Sequence, residues 1–118
     1  MPNLTQQQLF FLYLTGTANA AGVVTLHSKG LKPGGVLTFD IVSTMCADKA
    51  GVIAEISFHL GGQDMYLKTL ANTTEDYWYK TRGPVRIPSD WCVQVGFSGA
   101  DVGDVCHACC YGYVEYPE

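Results

Sequence analysis

The stretch VIAEISFHL, residues 52–60, alternates along its length: Val52, Ala54, Ile56, Phe58 and Leu60 share one side of an extended chain, while Glu55, Ser57 and His59 share the other. A period of two is that of a strand with one face in a core; a helix, at about 3.6 residues per turn, would scatter the same side chains around its axis. Gly61 and Gly62 follow directly, and paired glycines permit the positive φ angles of a tight hairpin into QDMYLKTL at 63–70. This segment commits the chain to antiparallel sheet. Valine at Gly61 and Gly62 is expected to damage folding far more than valine at Gly30.

No other part of the chain offers a helical stripe. Short β-rich runs recur at 9–14, 23–28, 36–45, 52–60, 63–70, 76–81, 84–88, 91–98 and 104–115. LKPGG at 31–35, ADKAG at 47–51 and SGADVGD at 98–104 supply turns, through residues that pre-set or tolerate turn dihedrals. In WCVQVGF, Trp91, Val93, Val95 and Phe97 point one way, with Trp91 expected to anchor the core, and Cys92, Gln94 and Gly96 point the other. A chain of 118 residues, 47% of them hydrophobic, fills one domain and buries a core without a metal or disulfide. The expectation is all-β: residues 1–118 as a single-domain β-sandwich, jelly-roll-like, of about eight or nine short strands.

LFFLYL at 9–14 departs from this pattern. Leu9, Phe11 and Tyr13 point one way and Phe10, Leu12 and Leu14 the other, so neither face is polar. With no helix to cover such a strand, residues 1–14 read as an N-terminal arm or interface strand, and Leu9, Phe10, Phe11, Leu12 and Tyr13 as a protein interface; the alternative is an inner strand roofed by a long loop.

CHACCYGY, beginning at Cys106, crowds three cysteines and a histidine together. On a strand, Val105, His107, Cys109, Tyr111 and Tyr113 line one face, and Cys106, Ala108, Cys110, Gly112 and Val114 the other. Cys106 and Cys110 then stand about 13 Å apart, too far to share a zinc ion bound at about 2.3 Å per ligand. A zinc ribbon needs a second ligand pair, yet Cys46 and Cys92 are isolated. A thiol nucleophile needs a histidine on a neighbouring element, but His107 faces away from Cys106, and pairings that bring His27 or His59 to a cysteine are not legible here. Cupins carry two metal-binding histidines separated by one residue, and the chain has no such pair. Asp101 and Asp104 flank a turn and lack the dense oxygen spacing of a calcium loop. The reading is therefore no catalytic residues, no metal, no cofactor and no enzyme.

A formal charge of −4 with scattered lysines and arginines argues against nucleic acid as a partner. The start MPNLTQQQ lacks the basic segment of a secretory signal, and LFFLYL is too short to span a membrane, which makes a soluble protein the expectation. Five cysteines, an odd number, fit a reducing compartment, and NLT and NTT then read as chance sequons.

The C-terminal third, VRIPSDWCVQVGFSGADVGDVCHACCYGYVEY, carries Pro88 and Trp91 before a strand, a turn at Gly103 and Asp104, and a strand ending Tyr111, Gly112, Tyr113. In these residues, and in LTGTANAAGVVTLHS nearer the start, it resembles the capsid decoration, or cement, proteins of tailed bacteriophages. The resemblance implies a virion structural protein made in the host cytoplasm and seated on the capsid exterior. It would be a homotrimer at three-fold positions that braces the major capsid protein. The rival reading is a carbohydrate-binding sandwich, lectin-like or a tail or baseplate module, with Tyr66, Tyr77, Trp78 and Tyr79 stacking on sugars.

Overall fold

The computed structural model describes residues 5–81 and 84–117, with the side chains of residues 5–7, 64 and 66–68 excepted. Its strands are β1 (Thr5–Thr17), β2 (Val24–His27), β3 (Val36–Cys46), β4 (Val52–Leu60), β5 (Gln63–Asn72), β6 (Tyr79–Lys80), β7 (Val85–Pro88), β8 (Cys92–Ser98) and β9 (Val105–Pro117). They form two antiparallel sheets, one ordered β1-β9-β3-β6 with β7 also on β3, the other ordered β2-β8-β4-β5. The chain crosses between sheets after nearly every strand, and its last strand returns beside its first. This is the double-sheet jelly roll, and the all-β sandwich expected from the sequence is the fold the chain adopts.

The core lies between the sheets because each strand turns its alternate apolar set inward. Phe39 and Val42 of β3, and Cys106, Ala108, Cys110 and Val114 of β9, face Val52, Ala54, Ile56 and Phe58 of β4, with Val93, Val95 and Phe97 of β8 beside them. The Phe39 and Phe58 rings stack across the gap at 6.0 Å, and Phe10 meets Phe39 edge-on at 5.8 Å. Trp91 is half-buried and packs against this core.

Leu60 pairs with Gln63, and Gly61 and Gly62 take φ of 53° and 84°, which is the turn that two positive φ angles make. Leu60, at the hairpin end, is partly exposed where the alternation alone placed it inside. Gly30 is no spare position: a Cβ there would lie 2.2 Å from the Asp90 carbonyl oxygen.

β3 carries a bulge between Phe39 and Ile41, which leaves Asp40 without a partner on β9. Opposite Phe39 sits Gly112, where a Cβ would lie 1.9 Å from the Thr38 oxygen. The strands approach so closely only because that residue is glycine.

Asp104 closes the turn before β9: its carboxylate accepts from the Asp101 amide and its own amide donates to the Asp101 carbonyl. Asp101 also pairs with Lys49 at 3.0 Å. Two strands differ in length from expectation by more than two residues. β1 extends back to Thr5, because the polar Thr5–Gln8 segment pairs with Val114–Pro117 and is held by backbone bonding that hydropathy does not report. The run at 76–81 is a strand only at Tyr79–Lys80, since Asp76 takes a φ of 55° and its amide donates to the Cys46 carbonyl.

Candidate functional site

The surface that stands out is the outer face of β1, β9 and β3. Register places Leu9 beside Tyr113, Phe11 beside Tyr111, Tyr13 beside Cys109, and Thr15 beside His107. On the other flank of β9, Ile41 adjoins Tyr111, Ser43 adjoins Cys109, and Met45 adjoins His107. These residues form cross-strand rows that run from the edge of the sheet to its middle. Leu9 is 91% exposed, Phe11 69%, Tyr13 50% and Tyr111 45%.

The band is extended by aromatic contacts. The Tyr13 hydroxyl and His107 Nδ1 share a hydrogen bond, and their ring centroids are 5.7 Å apart. Trp78, from the segment before β6, lies 6.4 Å from the same imidazole, and both Trp78 and its neighbour Tyr77 are exposed.

The five residues read as an interface therefore divide by face. Leu9, Phe11 and Tyr13 project outward, whereas Phe10 and Leu12 are partly buried and pack on the core. The sequence showed a strand apolar on both faces, and the second sheet covers one of them. Among the described residues β1 pairs only with β9, so its other edge carries a row of main-chain groups unmatched by a strand. No residue from Thr5 to Thr17 bears a formal charge.

The cysteines separate as strand alternation requires. Cys106 and Cys110 point inward and are fully buried, while Cys109 is on the outer face and half-buried. Burial pushes the Cys110 thiol up to about 12, with the neighbouring Cys109 adding to the effect. Burial also raises Cys109. Two cysteine juxtapositions escaped sequence reasoning. Cys46 stands directly opposite Cys106 across β3 and β9, and Cys92 stands opposite His59 across β8 and β4. His59 Nε2 and the Ser57 hydroxyl are 2.9 Å apart. His27 adjoins Gln94. The cross-strand pairings of Cys46 with Cys106, Cys92 with His59 and His27 with Gln94 join segments far apart in the chain, and no local pattern carries them. Among the described residues, no three His, Cys, Asp or Glu side chains gather as a metal-ligand set.

Of the aromatic residues weighed for sugar stacking, the Tyr66 side chain lies outside the described residues. Tyr79 is tied down: its hydroxyl bonds the Thr73 hydroxyl at 2.9 Å and accepts from the Thr74 amide at 3.0 Å. These hydrogen bonds, Thr73 first, lower its pKa.

Fold and surface together define a jelly-roll domain with an uncovered aromatic face on the sheet of β1, β9 and β3. No protein-family model and no curated protein matches the sequence. Among solved structures the chain is similar to one from the structure of infectious bursal disease virus Gx strain, with 10% identity and a TM-score of 0.32. That alignment covers 96% of this chain and 43% of the other, so the chain spans less than half the length of that protein.

Proposed function

We propose that this protein is a virion structural protein that binds and stabilises a capsid lattice from outside, as a homotrimeric decoration protein contacting the major capsid protein. The observation that carries the reading is the outer face of β1 and β9, where Leu9, Phe11, Tyr13 and Tyr111 lie exposed side by side. A monomeric protein rarely leaves so continuous an apolar surface in water, and contact with a protein partner removes it. Burying Leu9, Phe11 and Tyr13 contributes about 1.5–3 kcal/mol each before ordering costs. Repetition around a three-fold axis multiplies that contact, because each further one forms at high effective concentration.

The free edge of β1 supports the same reading, since a long uncharged edge strand left open invites pairing with another chain. The jelly roll serves viral capsid domains, lectins and cupins alike, so the fold alone does not choose among them. The phage-like C-terminal third and the uncovered face favour the virion. The carbohydrate-binding reading keeps one observation in its favour, the exposed Tyr77 and Trp78 pair.

Phe11→Asp and Phe10→Asp separate contact from folding. Phe11→Asp places a charge on the outer face and is expected to abolish trimer formation or shell binding while leaving the β-rich circular dichroism intact. Phe10→Asp inserts a charge against Phe39 and is expected to unfold the domain. Sedimentation with undecorated shells and light scattering read the outcome. A wild-type protein that is monomeric and ignores shells, or that binds a glycan array through Trp78, refutes the assembly role.

A further inference from the structure

Cys46 is the last residue of β3 and Cys106 the second of β9, and the two are Cα partners in the ladder. Next to them the Ala47 amide donates to the Val105 carbonyl, while the Cys46 carbonyl turns away to accept from Asp76. The Ala47 and Val105 position is thus a hydrogen-bonded one, and by the alternation of an antiparallel ladder Cys46 and Cys106 occupy a non-hydrogen-bonded one. There Cα atoms approach to about 4.5 Å, inside the range of about 4.4–6.8 Å that a disulfide bridges. Both side chains point inward from adjacent strands and are fully buried. Burial pushes the Cys106 thiol up to about 12, and the neighbouring Cys46 thiol adds to the effect.

We propose that Cys46 and Cys106 form a cross-strand disulfide when the protein meets a small-molecule disulfide oxidant such as oxidised glutathione, stapling β3 to β9. The remaining cysteines are poor competitors. Cys110 shares the inner face but sits four residues further along β9, Cys109 is on the outer face, and Cys92 is on the opposite sheet. The oxidant gains access where β3 ends and β9 begins, beside the turns at 47–51 and 98–104, because strand ends open locally more often than strand centres.

The chemistry balances without any further reactant. One thiol loses its proton and attacks a glutathione sulfur, giving a mixed disulfide and one glutathione thiolate, which takes up a proton. The second thiol loses its proton and attacks the protein-bound sulfur of that mixed disulfide, expelling the second glutathione. Two protein thiols are oxidised and one glutathione disulfide is reduced to two thiols.

The closed loop spans 60 residues (106 − 46), so the cross-link removes much freedom from the unfolded chain. The unfolding midpoint is expected to rise by about 10 °C or more.

The test equilibrates the full chain with oxidised glutathione, then denatures it, alkylates free thiols and maps the peptides by mass. The expected result is three alkylated cysteines where the reduced protein shows five, a peptide pair joined through Cys46 and Cys106, and the higher midpoint. Cys46→Ala and Cys106→Ala each abolish the joined pair and the gain in midpoint. Five reactive thiols after oxidation, a cross-link mapped to any other pair, or an oxidised protein that melts no higher than the reduced one overturns the proposal.

Discussion

Gly112→Ala is the substitution that most directly interrogates how the two central strands meet. The new Cβ would lie 1.9 Å from the Thr38 oxygen, 2.9 Å from the Thr38 carbonyl carbon and 3.0 Å from the Phe39 Cα. All three are backbone atoms, so no rotamer change relieves the contact. Restoring an ordinary separation moves β3 and β9 apart by about 1 Å or more, and a ladder hydrogen bond near 2.9 Å does not survive that stretch. Overpacking costs about 1–3 kcal/mol and the lost ladder bond about 1 kcal/mol, so the sum is about 2–4 kcal/mol. That is a large part of the ~5–15 kcal/mol that holds a small domain together.

The matched control is Gly96→Ala in β8, where a Cβ meets nothing within 4 Å. A strand glycine with room around it gains about 0.5–1 kcal/mol on becoming alanine. The same chemical change is therefore expected to destabilise at one strand glycine and stabilise at the other. Urea unfolding followed by circular dichroism measures both, and at Gly112 the thermal midpoint should fall by roughly 10–15 °C. A Gly112→Ala protein within about 0.5 kcal/mol of wild type would refute the close approach of β3 and β9, and with it the bulge register at Phe39.

The hairpin offers a second contrast. Joint Gly61→Val and Gly62→Val forces two β-branched residues to positive φ at about 1 kcal/mol or more each, whereas Gly61→Asn, suited to a left-handed site, should melt close to wild type. Gly30→Val is also expected to destabilise, by about 1–3 kcal/mol through its collision with Asp90, so thermal melts of all three should leave only Gly61→Asn near wild type. A third expectation concerns alkaline pH. The Cys110 thiol is pushed from 9.0 up to about 12 in the folded state, so the unfolded chain ionises first as pH rises. The stability this group contributes is fully present below pH 9.0 and is lost as pH rises toward about 12, by up to about 1.4 kcal/mol per pH unit. Urea melts between pH 8 and 11 should show a shallower decline in Cys110→Ala than in wild type, and equal slopes would contradict the buried thiol.

Much of the fold was legible in the chain because strand periodicity and turn chemistry are local properties. The alternation in VIAEISFHL, the paired glycines behind it and the two faces of 105–114 each follow from residues within a few positions of one another, and the structure places them accordingly except for Leu60, partly exposed at the hairpin end. The same locality explains the misread lengths. Thr5–Gln8 is a strand because β9 lies beside it, and the run at 76–81 is mostly not one because Asp76 bonds back to Cys46.

What only tertiary structure decided is which strands are neighbours, and that choice creates the surfaces. Seven residues of β4 meet β8 across the hairpin and connections between them, and β1 meets β9 from the far end of the chain. Those pairings turn LFFLYL from a strand apolar on both sides into one with a covered inner face and an exposed outer one. They also bring Cys46 against Cys106, and His59 against Cys92. Residues 60 apart in sequence leave no periodic trace of their meeting, because hydrophobic alternation records the side of a sheet on which a residue lies and carries no information about the partner strand.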